Sequence, residues 1–95
     1  MLSKLEFDKL KFSLDSEYRK YRELSIKLSN IRDMIDGCLN RIAISDDEEE
    51  VLRYYNNLIS FSIKDYKDHA RITHNQWLVY KKLFDVYLLE KKNHD

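Results

Sequence analysis

Proline is absent from this 95-residue chain and Gly37 is its only glycine, which removes the usual punctuation of β-turns. Cysteine occurs once, at Cys38, so no disulfide can form within the chain. No apolar run approaches the length of a membrane span or of a secretory h-region. Charge of one sign is missing too. Seventeen basic residues balance seventeen acidic ones, whereas a dedicated nucleic-acid binder usually carries a basic surplus or a basic face. These absences favour long helices in a reducing, cytoplasmic setting, and 95 residues allow one domain with a thin core. Phe, Tyr, Met, Ile, Asn and Lys make up 38 residues against nine for Gly, Ala, Arg and Pro. That bias is expected of AT-rich coding, as in many phages and low-GC bacteria.

What is present is heptad order. Ser3-Lys4-Leu5-Glu6 has the form of a capping box, with Leu2 and Phe7 spaced as a hydrophobic staple, so a first helix should start at about residue 4 and run to about 43. Along it Phe7, Leu14, Tyr21, Leu28, Ile35 and Ile42 recur every seven residues, with Leu10, Leu24, Ile31 and Cys38 between them. Only Glu17 interrupts this seam. Because its phase persists past Gly37, that glycine is expected inside the helix. Ser45-Asp46-Asp47-Glu48 suggests a second capping box, opening a helix over about 46–92 whose seam would be Leu52, Asn56, Ile59, Ile63, Tyr66, Ala70, Thr73, Trp77, Tyr80, Phe84 and Tyr87. A competing cap at Thr73, with Ile72 stapled to Trp77, would break that helix and give a three-helix bundle.

A short link between two long helices enforces an antiparallel, coiled-coil-like hairpin. Two registers one heptad apart are open. The first pairs Cys38 with Asn56, Leu24 with Ala70 and, awkwardly, Glu17 with Trp77. The second sets Glu49 against Cys38 and Asn56 against Ile31, each placing a polar group on an apolar one at about 1–3 kcal/mol. The first register is therefore expected, with Cys38 and Asn56 as the core pair that fixes it, since a buried Asn can specify register and oligomeric state.

Helix 2 carries a second apolar stripe, Val51, Tyr54, Leu58, Phe61, Ile72, Val79, Val86 and Leu89, which a two-helix hairpin with the expected seam leaves uncovered. Leaving such side chains in water forgoes about 1.5–3 kcal/mol each and invites association. The stripe is thus the expected interface of a homo-oligomer, a four-helix bundle made by dimerisation, or of a complex with another protein.

Chemistry-bearing clusters are sparse. The hairpin would gather Asp33, Asp36 and Asp46 to Glu50 at its turn and Lys4, Lys9, Lys11, Lys81, Lys82, Lys91 and Lys92 at its open end. Helix capping accounts for much of the acidic group, while the lysine foot offers contacts to an anionic partner such as nucleic acid. Tyr18-Arg19-Lys20-Tyr21-Arg22 interleaves rings with cations as single-strand binders do, but Tyr21 belongs to the seam. His69 and His74 lie five apart, about 140° around a helix, which is wrong for two ligands of one metal. Cys38 has no catalytic partner in sequence. The expectation is a non-enzymatic, cofactor-free protein-binding module, an adaptor, assembly factor or inhibitor without a small-molecule substrate or membrane attachment. The alternative is a nucleic-acid accessory protein using the basic foot.

Overall fold

The computed structural model describes residues 1–94, and it is a helical hairpin 66 × 18 × 15 Å in extent. One arm is α1, Lys4–Ile44. The other runs without a break through α2, Glu48–Ile59, a π-helical segment, Ser60–Tyr66, and α3, Lys67–His94. Among the described residues there is no strand.

The capping box forms as the sequence indicates. Ser3 Oγ accepts from the Glu6 amide at 3.2 Å, and Glu6 Oε1 accepts from the Ser3 amide at 3.3 Å. Those bonds hold the Glu6 carboxyl below its ordinary range. Phe7, one turn on, is buried.

The turn differs from the expected second capping box. Ser45 ends α1, its amide donating to Arg41 O at 3.0 Å, and its hydroxyl accepts from the Asp47 amide rather than from Glu48. Asp47 is the N-cap of α2, accepting from Glu49 at 3.1 Å, with Glu48, Glu49 and Glu50 in the first turn where the helix dipole favours negative charge. An aspartate directly before a helix competes well with a serine two residues earlier, because both suit the cap position. Ser45 and Asp47 are extended, with φ −84° and −92°, so the link requires no glycine.

Gly37 is indeed helical and exposed, and a Cβ built on it would meet nothing within 4 Å. Gly37→Ala is accordingly expected to stabilise the chain by about 0.5–1 kcal/mol in urea unfolding, since only backbone entropy changes.

In the half of the rod away from the turn the register matches expectation and the seam does so in part, since Tyr66, Ala70, Thr73, Tyr80 and Tyr87 are buried or half-buried but Trp77 and Phe84 are exposed and Gln76 and Leu83 are half-buried in their stead. The Phe7 and Tyr87 rings stack at 5.7 Å, Tyr21 meets Trp77 at 5.4 Å, and Tyr18 meets Tyr80 at 5.4 Å. The slipped register would have set Tyr66 against Tyr21, yet the Tyr66 hydroxyl accepts from Arg32 at 3.4 Å. Thr73 does not cap a third helix. It is buried inside α3, and its hydroxyl donates to His69 O, one turn back, at 2.7 Å.

In the half beside the turn the expected seam is overturned. Leu52, Asn56, Ile59 and Ile63 are exposed, and Val51, Tyr54, Leu58 and Phe61 are the half-buried residues facing α1. Cys38 is buried as expected, but Asn56 stands in solvent and sets no register. The π segment reconciles the two halves. Its wider turn absorbs one extra residue, so a seam at 51, 54, 58 and 61 hands over to one at 66, 69, 73, 76 and 80. An uninterrupted helix would have pointed Asn56 at α1, whereas the interrupted one substitutes an all-apolar set and leaves the amide hydrated. Serines sit where the phase changes, and Ser62 donates its hydroxyl to Leu58 O at 2.7 Å, a back-bond of the kind that bends helices.

Candidate functional site

The core is thin. Among the described residues only Phe7, Leu14, Cys38 and Thr73 are buried, and three of the four lie in the half of the rod opposite the turn. That half is held by a ladder of rings in which Tyr18, Tyr21, Trp77, Tyr80, Phe84, Tyr87 and Phe7 each lie within 6.5 Å of a neighbour. The rings of Tyr18 and Tyr21 therefore meet one another, Tyr80 and Trp77 at tilted angles as part of this ladder.

Glu17 and Gln76 form a polar contact that the sequence expectation missed. The Gln76 amide donates to Glu17 Oε2 at 2.6 Å and to the Glu17 main-chain carbonyl at 3.0 Å, while Lys20 donates to Oε1 at 3.1 Å. The hydrogen bond from Gln76 first, then that from Lys20, holds the pKa of the Glu17 carboxyl below its ordinary value. The awkward layer of Glu17 with Trp77 is thus relieved by Trp77's neighbour. A polar residue adjacent to the seam, opposite the one charged seam position, was the available signal.

The proposed interface stripe divides. Val51, Tyr54, Leu58 and Phe61 are engaged by α1, as described, because the π segment turns them inward. Ile72, Val79, Val86 and Leu89 lie on the exposed outer side of α3, with Leu78 beside them. On the apical side Leu52, Ile59 and Ile63 are the exposed aliphatic residues, with Leu52 61% and Ile63 65% exposed. The membership of the exposed apolar set thus differs from the expected stripe. α1 is also apolar outside, with Leu5, Phe12 and Ile26 exposed, and Phe12 is 78% accessible.

All seven foot lysines, Lys4, Lys9, Lys11, Lys81, Lys82, Lys91 and Lys92, are exposed. Lys11 approaches Asp8 at 3.6 Å and lies over the Phe7 ring. At the other end a depression of about 380 Å³ is lined by Ser45, Asp46, Glu48, Val51 and Leu52. Among the described residues no cluster of three or more His, Cys, Asp or Glu is arranged to hold a metal, and no helix is long and apolar enough to cross a membrane. His69 and His74 remain apart in role: His69 is half-buried and His74 exposed. No protein-family model, curated protein or solved structure matches the chain.

Proposed function

We propose that the protein is a non-enzymatic helical interaction module that works as an oligomer, with the outer face of its second arm as the contact surface. The observation that carries this reading is that the aliphatic side chains Leu52, Ile59, Ile63, Ile72, Val79 and Val86 of that arm are all exposed. Single surface leucines are ordinary, but exposed aliphatic side chains recurring along one arm of a 66 Å rod are the pattern of a helix awaiting a neighbour. Adaptor, assembly-factor and inhibitor roles all use such a surface.

Sedimentation velocity tests it. The parent chain should sediment as a dimer or larger at micromolar concentration. Ile63→Asp with Val79→Asp should yield a monomer of unchanged helicity, because neither side chain is needed by the hairpin. A parent that stays monomeric and soluble at high concentration overturns the proposal. A second reading, nucleic-acid contact through the foot, draws on the exposure of all seven lysines. It requires binding at low salt that weakens steeply by physiological salt, and no binding at low salt removes it.

A further inference from the structure

The rod is electrically polar although the chain is neutral. Residues 1–23 and 69–94, the half opposite the turn, carry 11 basic and 7 acidic side chains, while residues 24–68, the half containing the turn, carry 6 basic and 9 acidic ones. Exposed aliphatic side chains of the second arm occur in both halves. Resting on the self-association just proposed, we propose that the occupant of this face is a second copy of the chain lying head to foot, the acidic apex of each hairpin against the basic foot of the other.

Charge complementarity decides the orientation. Side by side with apex on apex, two copies would juxtapose Asp47 to Glu50 with their own counterparts and the lysine foot with itself. Reversal converts both repulsions into attractions, acting at contact range where a Debye length of about 8 Å does not screen them fully. The spacing along the second arm also fits. A two-fold axis crossing it between Ala70 and Arg71 sets Leu52 level with Leu89, Ile63 level with Leu78, and Glu49 and Glu50 level with Lys92 and Lys91. Apolar thus meets apolar at these two levels on either side of the axis, and acid meets base at both ends. The contact is isologous and closes on itself, as homodimers commonly do.

Two measurements separate this orientation from self-association as such. In a Cys38→Ser background, Leu52→Cys and Leu89→Cys chains are prepared separately and mixed under mild oxidation. Head-to-foot pairing gives the mixed disulfide from the mixture and little linked product from either chain alone. Self-linked Leu52→Cys and self-linked Leu89→Cys dimers, together with a dimer mass for the parent, would overturn the orientation while leaving self-association standing. A monomeric parent with no linkage of any kind would overturn both. Salt supplies the independent readout. Raising it from low to well above physiological strength should weaken the parent dimer by about threefold or more, and tightening instead would indicate like charges in contact and overturn the proposal.

Discussion

Deletion of Ser62 is expected to leave the hairpin as stable as before, or more so, whereas deletion of Asn30 should cost about 4 kcal/mol or more. Both residues are exposed and helical, and a propensity argument would treat the two deletions alike. They differ in what happens to phase. Loss of one residue from Ser60–Tyr66 turns the wide π turn into an ordinary α turn, and the seams on either side keep facing α1. Asn30 sits within uninterrupted α1, where losing a residue rotates one half against the other by about 100°. Either Phe7 to Leu28 or Ile31 to Ile42 must then leave the interface. Urea unfolding followed by circular dichroism measures both. A Ser62 deletion as damaging as the Asn30 deletion would show that the π turn is not a phase correction.

Replacing Leu58 and Phe61 together by aspartate should unfold the apical half of the rod, at about 3–5 kcal/mol, because these half-buried side chains face α1 and would carry charge into its seam. The same two substitutions at Leu52 and Ile63 should leave the thermal transition of the dilute, monomeric chain within about 1 kcal/mol of the parent, since both side chains are exposed. The contrast is sharp because an uninterrupted second helix reverses it, bringing Leu52 and Ile63 to the seam and Leu58 and Phe61 to solvent. Helicity at dilute concentration, compared between the two double variants, decides the matter.

Much of the fold can be read from particular residues. Ser3 and Glu6 place the start of α1, the seven-residue recurrence from Phe7 to Ile42 sets its inner face, and the recurrence from Tyr66 to Tyr87 sets the face of α3. The apical half of the second arm is ambiguous in sequence, because beside the apolar stripe Val51, Tyr54, Leu58 and Phe61 it contains a second, Leu52, Ile59 and Ile63, interrupted only by Asn56. Heptad counting favours the stripe in phase with α3, at the expense of Asn56. What tips the structure is the burial of Tyr54 and Phe61 in place of that amide, and phase counting assigns no weight to such a choice. A one-residue slip is also invisible to periodicity unless a five-residue step, here from Phe61 to Tyr66, is admitted. The candidate interface was legible as an excess of apolar residues but not by membership, since membership follows from which stripe α1 takes.

The best-packed contacts lie where closing the chain is most difficult. Bringing Phe7 to Tyr87 encloses a loop of about 80 residues, an entropic cost about 2 kcal/mol above that of a ten-residue loop. Contacts next to the turn between Ile44 and Glu48 avoid that cost, although their side chains are less deeply buried. Folding should therefore spread from the turn toward the free ends, with the aromatic ladder assembling after the arms are already aligned. Interactions made that late slow unfolding far more than they speed folding. The ladder thus sets how long the hairpin stays shut, and the turn sets how quickly it forms.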